Sequence, residues 1–298
     1  MSPVGPASLA EFLQSVYVPS RLALAPNSAE QLAIAVRLLD RWLGRPATLA
    51  DLDETTLTAW LRWLGDQRRS PRTINGKRGA ILAIWRDAAE RGLCRPPRKV
   101  PRAAEPKRLP VAWTLPEMAA LWRACGDVPG VWNGCPAATA WRIAVAVIWD
   151  TACRFDSLWR AGLADVDLER GAWFVPAEHL KGRRADRLFR LHPDTITLVR
   201  QSVPPDRDRL FPYPRRRRQV WIDLKKILAA AGLPADRRRM FHCLRRTSES
   251  HAAAEKGVAW AADAVGHSEA VARQHYIAPA VFCGESLCDV LPRIDGGR

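Results

Sequence analysis

Between Arg95 and Pro110 the chain carries five prolines: Pro96, Pro97, Pro101, Pro106 and Pro110. Proline locks φ and lacks a backbone N–H, so neither a helix nor a paired strand runs through such a stretch. The chain is thereby cut into a first third and a longer remainder, and 298 residues suit two domains better than one. The expected boundaries are a helical domain over 1–94, a linker over 95–112 and a second domain over 113–298. Within the linker Arg95, Arg98, Lys99, Arg102, Lys107 and Arg108 face one acid, Glu105. A stiff, extended, positive strap suits the backbone of a polyanion, and it serves equally as a plain spacer.

Charge points the same way. Lys and Arg number 46 against 31 Asp and Glu, a formal net charge of +15. A folded protein this basic meets nucleic acid before other partners, although charge alone also fits a merely basic protein. The seven cysteines are scattered with no C-x-x-C pair, which argues against a disulfide framework or a zinc site. No signal peptide is read at the N-terminus. The richest apolar run, Ile143 to Trp149, is too short to span a bilayer and reads as a buried helix. A reducing, nucleic-acid-containing compartment is the expected setting.

Helical periodicity fills the first third. Ser8 and Glu11 form a capping-box pattern ahead of Leu9, Phe12, Leu13 and Val16. A second helix opens near Ser28 with Leu32, Val36, Leu39 and Leu43 inward. A third runs from about Asp53 with Leu57, Leu61 and Leu64. A fourth starts after Ser70-Pro71 and stops at Gly92, with Ile74, Ile81, Trp85 and Ala88 as its stripe. Its first turns carry Arg72, Lys77 and Arg78, suited to phosphate or simply to solvent.

The second domain opens on a capping box, Thr114-Leu-Pro-Glu117, followed by helices near 115–125 and 137–153. Trp173-Phe174-Val175 and Leu188-Phe189-Arg190-Leu191 read as a hairpin, with Lys181-Gly182-Arg183-Arg184 in or beside its turn. Helices return around 216–231 and 242–256, and a helix or turn lies near 258–265. The tail from Ala280 offers Phe282, Leu287, Val290 and Leu291 for docking.

Four segments hold the chemistry-bearing residues. They are Thr151-Ala-Cys-Arg154-Phe-Asp-Ser-Leu158, His179-Leu-Lys181-Gly-Arg-Arg184, Phe241-His242-Cys-Leu-Arg245-Arg-Thr247, and Val265-Gly-His267-Ser268 with Gln274-His-Tyr276. Each alone fits a bland role, such as a helix-end cation, a solvated turn, a surface pair or a packed tyrosine. Together and in this order they resemble the tyrosine-recombinase, or phage-integrase, family, strongly over 114–280 and weakly in the helical first third. In that family an Arg follows an apolar helix, a Lys sits on a β-hairpin, and H-x-x-R and G-H-S precede a Tyr. The size is similar to the compact, Xer-like members, with no extra N-terminal module expected.

The resemblance implies a mainly α fold with a small β-hairpin or sheet. An N-terminal helical, SAM-like core-binding domain would precede an α+β catalytic domain. It implies site-specific cleavage and rejoining of duplex DNA through a 3′-phosphotyrosine, with no metal, ATP or other cofactor. Arg154 and Arg245 would hold the non-bridging oxygens, since a planar fork binds two oxygens and keeps its charge. His242 and His267 would add hydrogen bonds as charge builds, and His242 would take the phenol proton. Tyr276 would be the nucleophile. A free phenol, pKa about 10, is ionised in roughly one molecule in a thousand at neutral pH, so it needs activation. Lys181 would protonate the leaving 5′ oxygen.

Arg72, Lys77, Arg78, Arg98, Lys99, Arg183, Arg184, Arg215 and Arg216 are the expected DNA contacts, with Arg237 to Arg239 leading into His242. His251 and His275 read as structural or surface residues. The implied assembly is a homo-tetramer on a Holliday junction, joined by C-terminal exchange through Phe282, Leu287, Val290 and Leu291. Accessory DNA-bending proteins and a bacterial cytoplasmic or nucleoid setting go with it.

Two positions depart from the family pattern. Ser157 stands where many members carry an acid three residues after the first Arg, and Arg246 stands where many have His. Two other functions share much of this pattern. One is a type IB topoisomerase relaxing a single duplex. The other is a catalytically inert DNA-binding regulator on the same scaffold. The short chain and small helical first domain favour recombination over relaxation, and the complete residue set argues against an inert regulator.

Overall fold

The computed structural model describes residues 8–180, 185–202 and 208–282. The chain divides into two compact units, Met1–Lys107 and Arg108–Arg298.

The first unit is helical. α1 (Leu9–Phe12) is capped by the Ser8 hydroxyl, which accepts from the Glu11 N–H, and it runs on into a π-helical turn over Leu13–Tyr17. α2 (Pro26–Leu43) starts on proline and ends at Gly44 in the left-handed region. α3 (Glu54–Asp66) is capped by Asp53, and α4 (Pro71–Glu90) by Ser70. Their apolar stripes meet in one core centred on Phe12, Leu39, Leu57, Trp60, Ile81 and Trp85. A capping box, Thr48 with Asp51, was not anticipated.

The proline-rich stretch behaves differently from a free linker. Through Glu105 it is fastened to the first unit by side chains. Trp85 donates to the Arg95 carbonyl, Arg78 to the Val100 carbonyl, and Asn75 both donates to and accepts from the Ala103 backbone. Glu54 accepts from the Arg95 side chain and the Arg98 N–H. Prolines leave few N–H groups for a ladder, so side chains satisfy what backbone remains.

The second unit is α+β. Its helices are α5 (Leu115–Gly126), α6 (Ala137–Thr151), α7 (Phe155–Arg160), α8 (Pro193–Ser202), α9 (Arg217–Ala230), α10 (Phe241–Lys256), α11 (Val258–Val265) and α12 (Glu269–His275). The short strands β1 (Val131–Trp132) and β2 (Cys135–Pro136) pair with each other. β3 (Val166–Asp167), β4 (Ala172–Val175) and β5 (Arg187–Arg190) form an antiparallel sheet in order β3-β4-β5, with Trp173 opposite Phe189. The anticipated hairpin is β4–β5; β1, β2, α8 and α12 were not anticipated.

The apolar α6 is buried nearly all round. Trp141 lies in an aromatic cluster with Phe211, Tyr213 and Phe241, and Phe155 stacks on Phe241 at 4.0 Å. That stack ties the start of α7 to the start of α10. A separate, small cluster of Ala253, Val258, Ala261, Ala262, Ala272 and Ile277 seats α11 and α12 on the end of α10. Phe282 packs partly against that same cluster. Leu287, Val290 and Leu291 lie outside the described residues. The five described cysteines are free thiols, and among the described residues no helix is long and apolar enough to cross a membrane.

Candidate active site

Two helix junctions and one long helix build the site. At the first junction α6 ends on Ala152 in the left-handed region, and Arg154 sits in extended backbone as the N-cap residue of α7. Its carbonyl accepts from the Ser157 and Leu158 N–H groups, and its side chain makes no cap hydrogen bond to α7. At the second, Gly266 closes α11 with φ +82° and Ser268 opens α12, its hydroxyl accepting from the Val271 N–H. The G-H-S triplet is thus a C-terminal cap, a corner residue and an N-terminal cap, with His267 at the corner.

Gly266 is doubly constrained. A Cβ there would sit 1.5 Å from Nη2 of Arg187, whose Nη1 donates to the Ala264 carbonyl at 3.3 Å.

α10 brings the parts together. His242 and Arg245, three residues apart, share one face. Arg245 is 3% exposed. Its Nη1 donates to the Ala152 carbonyl, so the second arginine pins the turn that presents the first. Among the described residues, Nε and Nη2 of Arg245 meet no acceptor although both are buried. Burial pulls the guanidinium below its ordinary value, and the neighbouring Tyr276 pushes back. An arginine so placed stays charged, and two unmet donors on a buried cation call for an anion.

Tyr276, nearly buried, follows α12 directly. Its ring centroid lies 5.0 Å from Cζ of Arg245, 4.7 Å from the His267 ring in a stacked pair, and 5.5 Å from the His242 ring. Its backbone is clamped to α10: the fully buried Ser250 hydroxyl donates to the Tyr276 carbonyl at 2.9 Å and accepts from the Ala278 N–H at 3.0 Å. Arg246 reinforces the clamp, donating from Nε to the His275 carbonyl at 2.9 Å.

His242 keeps an exposed edge, yet its imidazole is held down to about 4, by desolvation first and then by the charges of Arg246, Arg245, Arg154 and His275. At neutral pH it is uncharged and able to accept a proton. The two histidines differ in their ties. Nε2 of His267 lies 3.1 Å from a carboxylate oxygen of Glu249, and its Nδ1 lies 3.2 Å from the Ser268 carbonyl.

A pocket in front of these groups is lined by Arg154, Arg187 and Arg245, with Cys153, Ser157 and Gly266 among its walls. Arg154, His242, Arg245, His267 and Tyr276 are therefore gathered in one place. Lys181, Arg183 and Arg184 lie outside the described residues. Ser157, in the position of the expected acid, is buried and donates to the His179 carbonyl at 3.2 Å. Asp156 turns away to Arg217 and Arg160.

Among the expected DNA contacts, Arg72, Arg98, Lys99, Arg215 and Arg216 are exposed. Lys77 differs from the expectation: it is buried, its ammonium donates to Gln31 at 3.2 Å, and desolvation lowers its pKa. Arg78 is engaged with the Val100 carbonyl. Both sit on the face of α4 that packs inward, which charge type alone did not reveal.

Sequence reasoning missed Glu249 and Arg187. Glu249 was within reach, because His242, Arg245 and Glu249 at i, i+3 and i+7 form a single helical stripe. Arg187 alternates with the exposed Leu188 on β5, and nothing local marks its side as the pocket side.

A helical unit is thus followed by an α+β unit in which a phenol is set among guanidiniums and imidazoles. No protein-family model matches the chain, and no curated protein matches it. Solved structures do. A lambda integrase dimer bound to a COC′ core site superimposes with a TM-score of 0.70 at 17% identity, covering 94% of this chain and 78% of that one. The same integrase as a tetramer bound to a Holliday junction gives 0.63 at 16% identity, covering 85% and 72%. The Tn1549 transposon integrase in complex with a circular intermediate DNA gives 0.65 at 12% identity, covering 95% and 97%. The fold of this chain is that of these integrase structures.

Proposed function

We propose that this chain is a site-specific DNA recombinase that cuts and rejoins duplex DNA through a covalent bond to Tyr276. The observation that carries the reading is the buried Arg245, with two donors unmet, beside the ring of Tyr276. A backbone phosphate supplies the missing anion and the electrophile at once. Its non-bridging oxygens take the forks of Arg245 and Arg154, and Arg187 adds positive charge at the pocket wall.

In the cleavage step the Tyr276 oxygen bonds to the scissile phosphorus while the bond from phosphorus to the 5′ oxygen breaks. The phenol proton passes to neutral His242, and Lys181 supplies a proton to the departing 5′ oxygen. Attack by a 5′ hydroxyl of a partner strand reverses the step and transfers the strand. The phosphotyrosine conserves the bond energy, so the residues named here suffice for the chemistry.

The neighbours' DNA, dimer, tetramer and Holliday-junction complexes support duplex DNA as substrate and a tetramer as the working assembly. Arg72, Arg98, Lys99, Arg215 and Arg216 would contact the flanking phosphates. Exchange of the C-terminal tail between subunits, accessory DNA-bending proteins and a bacterial nucleoid setting complete the proposal.

A duplex nicked beside the cleavage point tests it, because the short 5′ fragment diffuses away and traps the adduct. The wild-type protein accumulates covalent DNA, and Tyr276→Phe binds DNA without doing so. An adduct that survives Tyr276→Phe refutes the assignment of the nucleophile. Absence of any wild-type adduct on bound genomic sites makes the chain a DNA-binding regulator. Supercoil relaxation without strand exchange makes it a topoisomerase.

A further inference from the structure

Glu249 is a charged group the chemistry above leaves unused, and it is the most deeply buried acid near it. Its side chain has no solvent exposure, one turn beyond Arg245 on the same face of α10. Burial raises its carboxyl, and His267 draws it back down. A carboxylate in such a place is costly unless something holds it. Its contact is His267, with Nε2 at 3.0 Å and 3.1 Å from its two oxygens.

The other side of the ring decides what that contact carries. Nδ1 of His267 lies 3.2 Å from the Ser268 carbonyl, and a carbonyl oxygen accepts but never donates. With Nδ1 donating there, a proton shared between Nε2 and the carboxylate is what makes the second contact favourable. The ring is fixed at both ends with its face stacked on Tyr276. The α11–α12 corner and α10 are separate pieces of backbone, and this pair joins them at His267. A hydrocarbon would fill the same volume without the desolvation penalty, so packing does not explain an acid here.

We propose that Glu249 is a positioning residue for the strand-transfer site: its buried carboxylate locks the His267 ring against Tyr276 and keeps a proton on Nε2. Ser157 cannot share the task, because its hydroxyl is committed to the His179 carbonyl. The kinetic half of this inference rests on the recombinase reading; the structural half does not.

The test has two arms on the full-length chain. In the DNA-free protein labelled with ¹⁵N-histidine, Nε2 of His267 is a protonated nitrogen. In Glu249→Gln, whose amide N–H donates to the ring, Nε2 becomes an unprotonated acceptor and Nδ1 keeps its proton. An Nε2 signal unchanged by Glu249→Gln overturns the proposal whatever the protein's activity. On the nicked duplex, Glu249→Gln slows adduct formation by about 10- to 100-fold, the usual range for an outer-shell partner of a functional histidine. Binding of the same DNA stays within about twofold, the marker of an unperturbed surface.

In a His267→Ala background the same change has no further effect, because Glu249 acts through the ring. Rate losses that multiply, or a Glu249→Gln protein that cleaves at the wild-type rate, also overturn it. Failure of the wild type to form adducts overturns the recombinase reading instead, and leaves the nitrogen spectrum to decide Glu249.

Discussion

Ser250 is the point where a small change should separate binding from cleavage. Its hydroxyl bridges the Tyr276 carbonyl and the Ala278 N–H, and Ser250 and Ala278 are fully buried. Ser250→Ala removes one oxygen, creates almost no cavity, and strands one acceptor and one donor. A buried unpaired backbone group costs about 1–3 kcal/mol, so the clamp loses at least about 2 kcal/mol.

That loss need not unfold the protein. The segment can open locally instead, because α12 is seated by the small alanine-rich cluster and by Arg246 on the His275 carbonyl. If the whole of about 2 kcal/mol falls on delivery of the phenol, adduct formation slows roughly thirtyfold. DNA affinity changes little, and the thermal midpoint falls by no more than the several degrees to which about 2 kcal/mol corresponds. Hydrogen exchange at the Ala278 amide accelerates by a similar factor and reports the same opening without DNA. Cleavage within about twofold of wild type, with unchanged Ala278 exchange, would show that the clamp does not set the position of Tyr276.

Three further outcomes follow from the geometry. The His242 imidazole should titrate at about 4 in the DNA-free protein, against an ordinary histidine value of about 6.5, followed by its ring-proton NMR signals. Between those values the unfolded chain binds more protons than the folded one, so this group's contribution to stability is present above the ordinary value and fades as pH falls through about 4; titration near the ordinary value refutes the crowding argument. Gly266→Ala should lower the thermal midpoint, because alanine is strained at φ +82° and its Cβ displaces the Arg187 guanidinium. Arg187→Ala should recover part of that loss, and no recovery would mean that backbone strain alone is responsible. Arg154→Lys keeps the charge but loses the planar fork, so adduct formation should drop about 100-fold or more; near-normal cleavage refutes the bidentate role.

The local grammar of the chain was legible in advance. Caps at Ser8, Asp53, Ser70 and Thr114, the β4–β5 hairpin and the helix holding H-x-x-R depend on residues within one turn or one hairpin of each other. The resemblance of the four ordered segments to the tyrosine-recombinase family singled out Arg154, His242, Arg245, His267 and Tyr276, each of which alone fits a bland role. Short or polar elements such as α12 escaped notice because seven residues give too little period to read.

What the chain could not announce was which charged side chains face inward. Lys77 and Arg78 look like phosphate ligands until α4 packs and one meets Gln31 and the other Val100. Arg95 to Glu105 looks like an extended strap or plain spacer until Asn75, Arg78 and Trp85 fasten its carbonyls. Glu249 looks like an ordinary helix acid until the Gly266–Ser268 corner folds over it. Capping and periodicity are set by backbone geometry over a few residues, and any short segment displays them. Burial of a charge is decided by what arrives from far along the chain, and only the packed tertiary structure contains that information.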